Sequence, residues 1–203
     1  MTGTAPRNGG HADPGEQTRA DVYRLLGVLL AGPPDAALLQ LLRGIEPDTA
    51  EADGAMTDAW RSLRAAAEQA DPAGLEEEYF NLFIGLGRGE LVPYASYYLN
   101  GLLMEKALAE LRGELAGLGI RRREGVAEPE DHVAAVCEVM GMIISTGGLQ
   151  LKQLNFFTNF VDSWVGRFFA DLGAAEKADF YRAVASVGEA FVAVERQYLT
   201  LPA

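Results

Sequence analysis

The stretch DVYRLLGVLLAGPP, residues 21–34, decides the fold. Val22, Leu25, Leu26, Leu29 and Leu30 recur at intervals of three and four, which puts their side chains on one face of a helix. Gly32, Pro33 and Pro34 then end it, because neither residue type continues a helix cheaply. A helix with one apolar face needs another element to cover that face, so the question for the rest of the chain is what supplies the cover.

More helices supply it. Asp35 suits the cap of a short helix through Leu42, and a third is predicted from about Ala52 to Ala70, where Asp71 and Pro72 open the next. Leu75, Tyr79, Leu82, Phe83 and Leu86 repeat the helical spacing, with Glu76, Glu77 and Glu78 starting the solvent side. Three glycines and a proline make residues 85–93 a loop, after which one helix is predicted over 95–118. Beyond a charged connector, Pro129 suits a first helical turn, and Val133, Val136, Cys137, Met140, Ile143 and Ile144 form an apolar stripe. Two further helices are predicted over 149–172 and 174–198, and no stretch alternates as a strand would.

The predicted fold class is therefore all-α, an irregular bundle of about seven to nine helices with a hinge connector near 119–129. Residues 1–16, MTGTAPRNGGHADPGE, lack the apolar segment of a secretory signal and read as a disordered tail. Residues 17–203 read as a single domain with an N-terminal lobe at 17–118, the connector at 119–128 and a C-terminal lobe at 129–203.

Composition narrows the function. With 49% hydrophobic residues the chain has material for one core, and 29 acidic against 17 basic residues give a formal charge of −12. Such a surface repels nucleic-acid phosphates and anionic lipid and attracts cationic partners. One cysteine excludes an internal disulfide, and two histidines far apart make no zinc site unless carboxylates complete it, so no structural metal is expected. The longest uncharged run, residues 139–151, is too short to span a bilayer. The expectation is a cytoplasmic protein without nucleic-acid binding or membrane insertion.

Two segments carry most of the specific signal: EYFNLFIGLGRGELVPYASYYL at 78–99 and EPEDHVAAVCEVM at 128–140. Together they resemble the TorD/DmsD family of molybdoenzyme maturation chaperones. Tyr79, Leu82 and Phe83 match its Tyr-x-x-Leu-Phe pattern; Pro93, Tyr94, Ser96 and Tyr98 match its Pro-aromatic pair with Ser and Tyr; Glu128, Pro129, Asp131 and His132 match Glu-Pro-x-Asp-His. The resemblance continues through Phe156, Phe157, Trp164, Phe168 and Phe169, with Phe160 where the family usually carries histidine. The Gly-Leu-Gly-Arg-Gly wording at 85–89 looks most like the subgroup associated with formate dehydrogenases.

That resemblance implies an all-helical chaperone that does no covalent chemistry. It would bind the twin-arginine signal peptide of a precursor molybdoenzyme, assist insertion of the molybdenum cofactor and hold the precursor back from export. A receptor for such a peptide needs carboxylates for guanidinium groups beside an apolar groove. Asp131 is the first candidate, with Glu128, Glu130 and His132 beside it and Glu90 as an outlier; the apolar candidates are Tyr23, Leu82, Phe83, Pro93, Tyr94 and Tyr98. Arg121, Arg122 and Arg123 are candidates for touching cofactor phosphates, either solvated or meeting a transient molybdopterin guanine dinucleotide or GTP; no permanently bound cofactor is expected. The self-association expected is a monomer or a homodimer swapped through residues 119–128.

Plainer readings stand beside these. By spacing alone, residues 128–131 are a helix start whose carboxylates favour the helix dipole, and Tyr94, Tyr97 and Tyr98 are core aromatics. His132 on that reading is a satisfied or merely exposed imidazole. Residues 85–89 follow a helix and lack a Gly-Lys-Ser/Thr ending, so they read as a turn and not a phosphate cradle. The alternative functions are a hydrolase using His132 with Asp131 or Glu128, and a helical adaptor. Neighbours in a helix differ by about 100° in direction, so Asp131 would not orient the His132 ring.

Overall fold

Helix starts follow from local chemistry. The Asp35 side chain accepts from the Leu38 amide at 2.8 Å and Asp71 from the Gly74 amide at 3.0 Å, while Pro14 and Pro72 occupy first turns where a missing N–H costs nothing. The computed structural model describes residues 13–46, 54–103, 106–122, 125, 128–147 and 149–200. In chain order it contains α1 (Pro14–Ala31), α2 (Ala36–Arg43), α3 (Ala55–Gln69), α4 (Pro72–Tyr79), a first π-helical turn (Phe80–Ile84), α5 (Ala95–Asn100) and α6 (Lys106–Gly117). Then come α7 (Val133–Ser145), α8 (Gln150–Phe156), a second π-helical turn (Phe157–Val161), α9 (Val165–Ala174) and α10 (Phe180–Thr200). Among the described residues there is no strand, and the only β-type pairing is a single bridge between Tyr94 and His132.

The all-α expectation holds, and the described helices number ten because the long ones are broken. The helix predicted over 95–118 stops at Gly101, which adopts the left-handed φ of 79° and closes α5 by donating its N–H to Tyr97. The one predicted over 149–172 is interrupted by the second π-helical turn and by a turn at 162–164. Pro129 lies in a turn before α7, not in its first turn, since the His132 amide bonds to the Pro129 carbonyl and the helix starts at Val133. Of the tail expected at 1–16, residues 14–16 lie inside α1 and Asp13 flanks it, and residues 1–12 fall outside the described residues. Of the hinge expected at 119–128, residues 123, 124, 126 and 127 also fall outside them.

One continuous core joins the two halves of the chain. α1 lies against α7, α10 against α3 and α9, and α2 against α3. The buried Tyr181 donates its hydroxyl to the Leu29 carbonyl at 3.0 Å, with the Gly32 carbonyl 3.3 Å away, and so satisfies carbonyls that the end of α1 leaves open. Cys137 is buried between α1 and α7, where burial pushes its thiol up to about 12 and leaves it protonated. No described helix is long and apolar enough to cross a membrane.

Candidate functional site

Residues 93–96 and 131–133 meet at a backbone junction. Ala95 donates its N–H to the Asp131 carbonyl and Val133 to the Pro93 carbonyl, both at 2.9 Å, which makes the Tyr94–His132 bridge. Side chains then lock it. α5 has no capping side chain of its own; Asp131 supplies one from 35 positions away, its Oδ2 accepting from the Ser96 amide at 2.9 Å and the Ser96 hydroxyl at 2.6 Å. His132 caps α7 in the same way, with Nδ1 accepting from the Ala134 amide at 3.2 Å. Two adjacent residues of one turn therefore start two different helices.

Aromatic side chains of the motif segments pack at this junction and elsewhere in the core. The Tyr94 ring stands edge-on to His132 at 5.0 Å. Tyr79 and Phe83 from the first motif pack on each other at 5.0 Å and against Tyr181, while Tyr98 packs on Trp164 and Phe168. Burial first, then the neighbouring charge of Glu128 and the Tyr94 phenol, pushes the Tyr79 hydroxyl up to about 12. The Glu128 charge thus acts on both Tyr79 and Tyr94, which belong to the other two motif segments.

Several candidates turn out to be scaffold. Asp131 is only 1% exposed and committed to Ser96, so it holds the junction and does not face solvent to receive a guanidinium. Tyr23, Leu82 and Pro93 are buried, Tyr23 edge-on to Phe191 at 4.7 Å. Glu90 is occupied too, accepting from the backbone amides of Glu176 at 2.6 Å and Lys177 at 3.1 Å. Glu130 is gripped by Arg112, whose Nε and Nη2 both reach its Oε2 at 2.9 and 2.8 Å. Partial burial works to raise the Glu130 carboxyl, but the Arg112 hydrogen bond, its backbone bond and nearby arginine charge hold it below the ordinary range.

What remains at the surface is Glu128, exposed and without a hydrogen-bond or ion-pair partner among the described residues; Tyr94, Tyr98 and Phe83 are half-buried. Tyr98 donates its hydroxyl to Asp171 at 2.9 Å. Arg121 and Arg122 are exposed and Arg123 lies outside the described residues. The loop at 85–89 folds on itself: a Cβ on Gly85, at its left-handed φ of 61°, would lie 2.1 Å from the Arg88 carbonyl oxygen, the tight turn that the glycines allow.

Sequence reading missed Arg112, because nothing in the spacing of residues 112 and 130 signals that they meet.

The hydrolase arrangement does not assemble. Asp131 serves Ser96, and His132 spends Nδ1 on the helix cap, so the imidazole has no orienting carboxylate. Among the described residues no group of three or more His, Cys, Asp and Glu could hold a metal ion.

Burial lowers the His132 imidazole to about 4 against the raising pull of the Glu128 and Asp131 charges. The folded form therefore binds fewer protons than the unfolded form between about pH 6.5 and 4. Its contribution to stability is complete above that window and falls as pH drops through it, by about 3 kcal/mol in all. His132→Asn keeps a capping side chain, and its urea-unfolding stability is expected to change less than wild type between pH 7 and 4.5. Parallel pH slopes for the two proteins would contradict a buried neutral imidazole.

The chain is similar to known proteins over most of its length. The sequence model described as nitrate reductase delta subunit matches residues 49–170. A chaperone protein TorD from Vibrio parahaemolyticus is 30% identical over 137 residues, covering 62% of this chain and 64% of that relative, just under two thirds of its length. One from Shewanella oneidensis is 29% identical, covering 89% of this chain and 90% of the relative, and one from Aliivibrio fischeri is 25% identical, covering 90% and 95%. A solved structure from Archaeoglobus fulgidus, described as a proposed redox enzyme maturation protein, shares the fold with a TM-score of 0.55 at 21% identity, covering 93% of this chain and 99% of that one.

Proposed function

This chain belongs to the nitrate reductase delta subunit family, which takes in the TorD chaperones, and from that premise we propose that it is a cytoplasmic maturation chaperone for a molybdenum-containing redox enzyme. It works by binding: it holds the twin-arginine start of the precursor while cofactor is inserted, and releases it for export afterwards. The client is a formate dehydrogenase, on the wording of residues 85–89.

The observation that carries this reading is the exposed Glu128 carboxylate, which has no hydrogen-bond or ion-pair partner among the described residues and whose charge acts on the half-buried Tyr79 and Tyr94. A guanidinium docking there exchanges water for a charge-assisted bond and lies against an aromatic face. The formal charge of −12 adds a long-range attraction for a basic segment. The buried Asp131–Ser96 and His132–Ala134 caps hold the carboxylate-bearing turn in place, so little ordering is required on binding.

Calorimetric titration of the full chain with a synthetic peptide bearing two adjacent arginines tests it. Glu128→Gln is expected to weaken binding about tenfold, and rising salt to weaken it further. Asp131→Ala is expected to act on stability instead, costing about 1–3 kcal/mol because the buried Ser96 amide loses its acceptor. Equal affinity of wild type and Glu128→Gln at every ionic strength would reject the site.

A further inference from the structure

We infer that Asn100 is a self-modifying site: its side-chain amide is lost to the backbone nitrogen of Gly101, leaving an aspartyl or isoaspartyl residue between α5 and α6. The inference is independent of peptide binding. Asn100 ends α5 and is exposed, as is Gly101. An asparagine followed by glycine is the pair in which this reaction meets least obstruction, because glycine has no Cβ to shield its nitrogen. The surroundings leave room as well, since a Cβ built on Gly101 would meet nothing within 4 Å.

Water is the only co-reactant. Hydroxide takes the Gly101 amide proton, and the nitrogen attacks Asn100 Cγ. A bond from Gly101 N to Cγ forms and the Cγ–Nδ2 bond breaks; ammonia leaves with a proton from water, which regenerates the hydroxide and closes a succinimide ring. Water then opens the ring. Cleavage of the new N–Cγ bond gives aspartate, whereas cleavage of the original peptide bond routes the main chain through Cγ and gives isoaspartate. Nothing is oxidised or reduced.

The fold acts on this step in two opposed ways. The Gly101 N–H donates to the Tyr97 carbonyl at 2.9 Å, so the nitrogen attacks only when the last turn of α5 opens. That opening is cheap, because α5 has only six residues and the next two, Leu102 and Leu103, are 65% and 51% exposed. Against that brake, Asn100 Oδ1 accepts the Ala107 N–H at 3.4 Å. Negative charge develops on Oδ1 as the nitrogen adds to Cγ, so a donor already aimed at it favours the transition state over the amide. Ala107 lies in the first turn of the 12-residue α6, whose dipole favours the same charge. The bond is long, which limits its effect to about threefold.

The other asparagines among the described residues lack this combination. Asn81 precedes Leu82, Asn155 precedes Phe156 and Asn159 precedes Phe160, each inside a helix or π-helical turn that engages the following nitrogen. The two products of Asn100 act differently on the structure. Aspartate keeps the chain length and sets a full negative charge at the start of α6, which strengthens that start. Isoaspartate adds a main-chain carbon just after the turn whose Tyr97 hydroxyl accepts from Arg88 and whose Tyr98 hydroxyl donates to Asp171.

Holding the full chain in mildly alkaline buffer, then digesting it and mapping the peptides by mass spectrometry, tests the assignment. Asn100 is expected to gain the mass of an amide-to-acid exchange about tenfold or more faster than Asn81, Asn155 and Asn159, and to yield both aspartyl and isoaspartyl peptides. Ala107→Pro, which a first helical turn tolerates, deletes the donor. It is expected to react about threefold more slowly than Ala107→Gly, which keeps the N–H, while the two match in urea. An equal or faster rate in folded Ala107→Pro, as loosening alone would give, overturns the part played by α6. Should that variant fail to fold, Asn100→Asp decides: a carboxylate on the same N–H is expected to raise the thermal midpoint, and a midpoint at or below wild type overturns the contact with Ala107. An Asn100 that reacts no faster than the other three asparagines of the folded chain overturns the site itself.

Discussion

Replacing Glu195 with alanine is expected to destabilise the chain by about 3–5 kcal/mol, the cost of stranding a buried charge. Glu195 is 0% exposed and Arg19 8%. Arg19 meets it as a fork, Nε to Oε1 at 2.5 Å and Nη2 to Oε2 at 2.8 Å. Its remaining nitrogen donates to Glu16 at 2.6 Å and to Gln153 at 2.9 Å, and the guanidinium lies 4.1 Å from the Tyr198 ring centroid. α1, α8 and α10 are thereby tied through one cation. Solvent cannot screen a pair this enclosed, so the discount that applies to surface ion pairs does not apply.

The pair itself is a different quantity from either partner. Removing both charges together, as in Arg19→Met with Glu195→Leu, is expected to cost far less than Glu195→Ala alone, because nothing ionised is left behind. Urea unfolding of the two single variants and the double closes the cycle. A Glu195→Ala loss below about 1 kcal/mol would mean that water reaches Arg19 and that the network is not the enclosed one described.

The second large effect is expected from one methyl group. Gly188 lies in α10 opposite α9, and a Cβ placed there would sit 2.3 Å from Phe169 Cζ and 2.4 Å from both ring Cε atoms. Phe169 is fully buried and packs on Phe168 at 5.3 Å, so its ring has nowhere to retreat. Two terms oppose each other in Gly188→Ala. Helix propensity favours alanine by about 1 kcal/mol, whereas overpacking a close-packed site costs about 1–3 kcal/mol or more. At separations this short the steric term wins, and thermal unfolding should report a lower midpoint. Phe169→Leu shortens the obstructing ring, so the double variant is expected to lose less than the two singles added. A Gly188→Ala protein more stable than wild type would show that α9 and α10 are not so close.

Much of the site was legible because it is local. The cap chemistry of Asp35 and Asp71, and the clustering of motif residues in two short segments, can be read without knowing what lies across the core. Roles within those segments were not legible in the same way. Asp131 and Glu128 are carboxylates three positions apart, yet one is buried under α5 and the other faces water; that difference is made by Ser96, which the chain brings back from 35 residues earlier. Glu90 read as an available acid until the amides of Glu176 and Lys177 were found on it.

By itself, then, the sequence determined the helical class, the main helix starts and the segments that matter, since apolar periodicity and capping act within a few residues of one another. The tertiary structure alone decided which carboxylate has no partner among the described residues, that Arg19 would donate a two-pronged fork to Glu195 across 176 positions, and that a side chain at position 188 would have to displace Phe169. Those outcomes depend on packing distances and on exclusion of water between helices distant in the chain, and no local pattern encodes either.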